Sequence, residues 1–481
     1  MIYLMSASVV TAWHGFAKAR CKLFIKCVNY KIMDSNLELC AVIADRIATN
    51  PHKRITFAEY MDLVLYHPEY GYYSTQAVNI GKQGDFFTSV HLGSDFGELL
   101  AEQFAQMWEI LGQPVPFSLV EMGAGQGHLA LDILKYVQQR YPDFFAALEY
   151  IIVEKSPALR QVQQERLQDF KLRWCSLEDI PNNSITGCFF SNELVDALPV
   201  HQFILEAGQL REIYVTTEEG RGASAVGGFP DLGRLAWQEA EGRRQRAGGR
   251  RNILDSEFLL SPTLPLPHSP SPPLSDSSPS PFVEVTGELS TPKLAEYFDL
   301  VGIQFTENVY PEGYRSEVNL AALNWLGVVA DRLQRGYVLT VDYGYPASSY
   351  YNPRRSQGTL QCYWHHQRHH NPYINFGRQD ITAHVDFTAL ERWGEGCGLN
   401  KVIFTRQELF LMMLGLGDRI ASLSHTEKSI SQMLRRRDAL HQLVDPLGLG
   451  GFGVLLQSKG LRQTESSQPL KGFTMLEQES I

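Results

Sequence analysis

With 481 residues and 44% apolar composition the chain has length for two or three domains and material to fill a core. A net charge of −10 argues against general nucleic-acid binding, and seven scattered cysteines without a C-x-x-C pair argue against a disulfide scaffold or a thiolate metal site. No apolar run reaches the roughly 18 residues that a membrane-spanning helix requires.

Residues 1–33 contain Lys18, Arg20, Lys22, Lys26 and Lys31 but no acid, a pattern shared with organelle transit peptides. Arginine and serine are sparse there, and Leu4 to Val10 makes a poor secretory core. Residues 1–36 are therefore read as a disordered extension, with the cytoplasm as the expected compartment (the mitochondrion if the source is a eukaryote). Leu37 to Ile47 has apolar residues at helical spacing, and Thr56 with Glu59 three residues later reads as a capping box. An aromatic-rich turn, His67 to Tyr73, precedes the loop Gly84-Asp85-Phe86-Phe87-Thr88-Ser89 and a helix from about Phe96 to Leu111.

The decisive stretch comes next. Phe117 to Val120 reads as a buried strand, Glu121 follows, and Gly123-Ala124-Gly125-Gln126-Gly127 leads into helical spacing from Leu129 to Val137. Glycines at a strand-to-helix turn permit positive φ and close approach of a ligand to bare backbone. The spacing G-x-G-x-G differs from the dinucleotide pattern G-x-G-x-x-G, whose third glycine serves helix packing. It resembles the first motif of class I S-adenosylmethionine (SAM) methyltransferases. A carboxylate near the cationic end of such a ligand contributes about 4 kcal/mol for unit charges ~4 Å apart at an effective dielectric near ~20.

Further strands are expected at Tyr150–Val153, ending in Glu154; at Leu172–Cys175, followed by Ser176 and Leu177; and at Gly187–Phe190, followed by Asn192, Glu193 and Asp196. A strand-tip acid in Glu154's position is placed to accept from both ribose hydroxyls, and Ser176-Leu177 stands where this fold often touches adenine. Residues 217–281, with the run Arg243 to Arg251 and the Pro/Ser stretch Ser261 to Pro281, read as a disordered insertion. Beyond it come a helix at about 320–333, a strand at Tyr337 to Asp342, and closing strands at Lys401–Phe404 and Gly453–Leu456. Residues 459–481 are expected to form a flexible tail. Strands alternating with helices predict an α/β fold with a doubly wound, mostly parallel seven-stranded sheet. His365, His366, His369 and His370 are read as a loop and not a metal site, because Asn371-Pro372 follows and apolar periodicity is missing. His384 and Asp386 are read as a hydrogen-bonded structural pair in preference to a catalytic dyad.

Taken together, His67-Pro68 through Tyr73, Gly84 through Ser89, Phe96 through Leu99, Glu121 through Leu129, Asn192 through Pro199, Val341 through Gly344 and Asp380 through Phe387 resemble the MidA-like family of SAM methyltransferases. That family includes the mitochondrial complex I assembly arginine methyltransferase. The resemblance runs from about residue 37 to 458 outside the insertion. It implies a Rossmann-like class I methyltransferase domain over 37–458 with inserted substrate-binding elements, SAM as cofactor, no metal, and an NADH-dehydrogenase-type subunit as the protein substrate. On the residues, the expected cofactor pocket is Glu121, Gly123, Ala124, Gly125, Gly127, Glu154, Ser176 and Leu177, with Asp85 and Thr88 lining its lid. Asn192, Glu193 and Asp196 are the expected acceptor-binding and catalytic residues, because carboxylates pair bidentately with a guanidinium. A homodimer is compatible with this reading. The competing functions are a non-catalytic SAM-binding assembly factor and a methyltransferase for a small molecule.

Overall fold

The computed structural model describes residues 36–75, 88–218, 220, 280–305, 309–365, 367–426 and 429–474. Seven strands form the central sheet: β1 (Phe117–Met122), β2 (Leu148–Val153), β3 (Arg173–Cys175), β4 (Ile185–Asn192), β5 (Leu333–Asp342), β6 (Asn400–Arg406) and β7 (Gly453–Lys459). Their order across the sheet is β6-β7-β5-β4-β1-β2-β3. β7 runs antiparallel to both neighbours, while β3, β2, β1, β4 and β5 pair in parallel.

Every residue of β1 is buried, as a parallel strand covered on both faces demands. Alternate side chains feed opposite cores. Leu119, Ile152, Cys188, Phe190 and Leu339 point to one side, where helices α1 (Asp95–Ile110) and α2 (His128–Arg140) pack. Val120, Ile151, Phe189 and Val338 point to the other, against helices Leu320–Arg332 and Phe387–Gly396. Strand order reverses between β1 and β4, so their carboxyl ends flank the crevice in which open α/β sheets bind ligands.

Two insertions build over that crevice. Between β4 and β5 the chain makes four strands of a second, antiparallel sheet, His201–Glu206, Gln209–Thr217, Phe282–Gly287 and Arg315–Val318, to which the N-terminal Ile55–Thr56 adds a fifth. Between β5 and β6 it makes a three-stranded sheet from Gln361–Trp364, Gln367–His369 and Asp380–Thr382. The N-terminal helices Leu37–Thr49 and Phe57–Tyr66 share a core with both insertions.

Several expectations need correction. Thr56 does cap its helix, accepting from the Glu59 amide at 3.1 Å, but the Glu59 carboxylate turns to Arg46 instead of closing the box. His369 belongs to a β-hairpin and not an irregular loop, because Cys362, Tyr363 and Trp364 pair with His369, Arg368 and Gln367; His366 lies outside the described residues. No cluster of His, Cys, Asp or Glu among the described residues has metal-site geometry. His384 and Asp386 do not bond to each other: Asp386 caps the helix that follows it and accepts from the Tyr297 hydroxyl at 3.0 Å. Residues 459–474, expected as tail, are packed down instead. Leu470 and Phe473 are buried against the core, and the Gly472 amide donates to Gln103 of α1 at 2.9 Å. Residues 1–35, 221–279 and 475–481 lie outside the described residues, as does Asp85.

Candidate active site

β1 ends in a tight turn whose glycines all have positive φ: +70° at Gly123, +52° at Gly125 and +77° at Gly127. The Gly127 amide closes the turn onto the Ala124 carbonyl at 2.7 Å, and Gly127 is the N-cap of α2. A Cβ built on Gly125 would meet nothing within 4 Å, so this glycine borders open space. Exposed backbone amides, left-handed conformation and room above the loop are what a small ligand requires.

The remaining cofactor-pocket candidates gather around this turn. Glu154, at the tip of β2, accepts from the Ser156 amide at 2.8 Å and from the Gln163 side chain at 2.9 Å. Gln163 also donates to the Gly125 carbonyl at 2.8 Å and accepts from the Trp174 indole at 3.1 Å. One buried amide thus ties the glycine turn to the strand-tip acid and to β3. Ser176 makes reciprocal bonds with Asp179 at the end of β3, and Leu177 packs into the core beneath. Thr88 bonds to His91 at 2.9 Å, and the His91 ring meets that of His128, the first residue of α2, edge-on at 5.5 Å. Glu121 departs from expectation in its orientation. Only 3% exposed, it accepts from the Tyr150 hydroxyl at 2.6 Å, and burial raises its carboxyl to about 7. Its charge is engaged inside the sheet.

The end of β4 supplies the acidic wall. Glu193 holds a left-handed backbone, with φ +52° and its amide on the Val341 carbonyl, which costs about 1–3 kcal/mol in a non-glycine residue. Asn192 donates to the Glu193 carboxylate at 3.1 Å. Asp342, at the tip of β5, is fully buried and accepts from the amides of Val195, Asp196 and Tyr343. Burial, then the neighbouring Asp196, pushes Glu193 up to about 8, and burial likewise pushes Asp196 and Asp342 upward. No described lysine or arginine pairs with any of the three. Buried carboxylates without a counter-charge are expensive, and a cation arriving among them is stabilised.

The two walls touch. Leu194, in the acidic segment, lies 2.7 Å from where a Gly123 Cβ would stand. Above them the Tyr66 hydroxyl donates to the Ala197 carbonyl at 2.9 Å, Tyr66 stacks on Tyr73, and Tyr73 donates to Asp380. The Ser156 hydroxyl closes the roof on the Tyr73 carbonyl at 3.0 Å.

Comparison with known proteins bears on this arrangement. The family model described as "Putative S-adenosyl-L-methionine-dependent methyltransferase" matches residues 99–405. The chain belongs to this family. A methyltransferase-family structure from Burkholderia thailandensis, bound to S-adenosyl-homocysteine, is 27% identical with a TM-score of 0.67, covering 91% of this chain and 94% of that one. A native structure from the same organism aligns with a TM-score of 0.66 at 27% identity, over 90% of this chain and 94% of that one. The protein arginine methyltransferase NDUFAF7 homolog, mitochondrial, of Drosophila melanogaster is 27% identical over 89% of this chain and 86% of its own length. The mouse protein arginine methyltransferase NDUFAF7, mitochondrial, is 32% identical, with the match spanning 34% of this chain and 42% of that protein.

The pocket of this methyltransferase fits its family's cofactor. The space at Gly125 admits a chain of ligand atoms against bare backbone. Glu154 holds the Ser156 and Lys155 amides and the Gln163 side chain, and its two oxygens have further lone pairs for a ligand's donors. Sequence reasoning missed Gln163, which sits in an unremarkable Gln-Val-Gln-Gln helix, and the Tyr66–Tyr73–Asp380 roof, whose parts are some 300 residues apart in sequence. Asp342 was visible as a strand-tip acid, but nothing local tied it to Asp196.

Proposed function

We propose that this chain is a SAM-dependent protein arginine N-methyltransferase that acts on an NADH-dehydrogenase-type subunit during assembly of a respiratory complex. The observation that carries the reading is the group of carboxylates formed by half-buried Glu193 with buried Asp196 and Asp342, which have no cationic partner among the described residues. A guanidinium stays protonated in water and offers donors in a planar fork that matches carboxylate geometry. The names of the Drosophila and mouse relatives support the arginine acceptor, and the MidA-like motifs support the assembly role.

When bound, SAM supplies an electrophilic methyl group. Glu154, Gln163 and the backbone from Gly123 to Gly127 hold it, and the neighbouring segment Asn192 to Asp196 presents the acceptor. Glu193 and Asp196 grip the guanidinium and turn one nitrogen toward the methyl group, while Asn192 fixes the Glu193 carboxylate. Methyl transfer leaves a proton to be taken up. In the empty site the Glu193 carboxyl is raised to about 8 and is protonated near neutral pH; an arriving guanidinium favours its ionised form, which can then take up the proton that methyl transfer releases. Orientation of the two reactants accounts for the greater part of the rate gain, on the order of 7–11 kcal/mol.

The test is transfer of tritiated methyl groups from SAM to isolated NADH dehydrogenase subunits, followed by amino-acid analysis. Label in methylated arginine, lost in Glu193→Gln, is the expected result. Label confined to lysine or to small molecules overturns the proposal.

A further inference from the structure

Beside the carboxylates stands a set of polar groups, of which Ser191, Tyr343, Thr382 and His384 have no part in the methyl-transfer scheme above. Ser191 Oγ, Asn192 Oδ1 and His384 Nδ1 are shielded from solvent and lack a hydrogen-bond partner, while the Tyr343 hydroxyl lies between Asp196 and Thr382 and bonds to both. They come from three segments that the fold clamps together. Thr340 and Val341 of β5 pair with Ser191 and Asn192 of β4. The Ala383 amide donates to the Asp196 carbonyl at 2.9 Å, and the Val385 amide donates to the Tyr343 carbonyl at 3.0 Å. The Tyr343 and His384 rings meet edge-on with centroids 5.0 Å apart.

Unpartnered buried polar atoms are costly, and three gathered around the ends of two adjacent strands need an explanation. Their chemistry is uniform. Each of the three can accept a hydrogen bond, and the Asn192 oxygen can do nothing else. A ligand complementary to such a crescent carries donors and no acceptor, which describes a guanidinium.

His384 is the member with a defined position and state. Its ring stacks on Tyr345, with centroids 5.1 Å apart and planes 6° from parallel, and its amide donates to Thr359 Oγ1 at 3.1 Å. On the far side of Tyr345 lies the Arg355 guanidinium, 4.4 Å from the ring centroid. Burial, with Arg355 second, lowers the imidazole to about 4, so it is neutral at physiological pH. A neutral ring keeps one nitrogen as an acceptor.

Resting on the arginine reading above, we propose that His384 is a positioning and specificity residue: its Nδ1 accepts an N–H of the acceptor guanidinium on the side away from Glu193, with Tyr343 filling the space between it and Asp196. Two anchors on opposite edges fix the plane of a guanidinium, whereas an ammonium, a compact point donor, satisfies only one of them. His384 would thereby favour arginine over lysine.

The test uses the full-length protein saturated with S-adenosyl-homocysteine, with ethylguanidinium and butylammonium as probes in calorimetric titrations. His384→Phe keeps the ring stacking on Tyr345 and removes the acceptor; His384→Asn restores an acceptor oxygen close to the Nδ1 position. Wild type should prefer ethylguanidinium over butylammonium by at least tenfold. The Phe variant should lose that preference, the Asn variant should keep most of it, and all three should bind S-adenosyl-homocysteine within twofold of one another. A Phe variant with undiminished preference sinks the assignment, as does loss of S-adenosyl-homocysteine affinity in both variants, which would mark His384 as purely structural. If wild type ignores ethylguanidinium, the arginine reading itself fails and this inference falls with it; if only the variants behave like wild type, the arginine reading survives.

Discussion

Gly125→Ala separates a glycine kept for a ligand from one kept for the fold. The added Cβ would meet no protein atom within 4 Å, so the folded chain has room for it. The remaining cost is conformational: φ of +52° in a residue with a Cβ, worth about 1–2 kcal/mol. In a domain of this size that corresponds to a fall in melting temperature of about 2–8 °C. Gly398 offers a matched control, with φ of +83°, the same empty surroundings and a position in the turn between helix Phe387–Gly396 and β6. Both alanine variants should melt a few degrees early. Only Gly125→Ala should weaken SAM binding in isothermal titration, by tenfold or more, equivalent to at least about 1.4 kcal/mol. An unchanged dissociation constant for Gly125→Ala, or an equal loss in Gly398→Ala, would refute the cradle.

Other outcomes follow from the same geometry. Gln163→Leu strands the Gly125 carbonyl, a Glu154 oxygen and the Trp174 indole; it should cost about 2–4 kcal/mol in urea denaturation and weaken SAM binding as well. Glu193 has a folded-state carboxyl near 8 against an ordinary 4.5, so between those values the folded chain holds the extra proton and stability falls as pH rises. Glu193→Gln should therefore melt with the wild type near about pH 4 and several degrees above it at about pH 8.5; a constant gap across that range contradicts the buried-acid account. Phe473→Ala should destabilise by about 3–5 kcal/mol, measured by thermal melting, because its ring is buried against Phe410 with centroids 5.0 Å apart. A tail that merely hangs free would show no change.

The sheet was legible because its strands are short apolar runs bounded by acids or glycines, and because Gly123 to Gly127 mark the turn at which the chain reverses. Glu154 and Glu193 were legible for the same reason, as polar residues that interrupt apolar text at a strand tip. What escaped is contact between distant segments. Nothing near Asp342 announces that its carboxylate receives the Val195 and Asp196 amides, and nothing near Gln163 announces Trp174. His384 and Asp386 were expected to pair because they are close in sequence. Residues two apart on an extended backbone project the same way, yet Asp386 found stronger partners in the free amides at the start of its own helix, Thr388 and Ala389. Residues 459–474 misled in the opposite sense: polar text hid Leu470 and Phe473, whose burial only the tertiary structure decides.

Thr217 and Phe282 face each other as the last rung of an antiparallel ladder. The two sides of residues 221–279 are therefore held at neighbouring points, like the two close screws of a drawer handle. Each doubling of such a connection costs only about 0.6 kcal/mol of closure entropy. The position is thus a natural port: a reporter module with adjacent termini, exchanged for residues 221–279, should leave the two strands paired and the sheet intact.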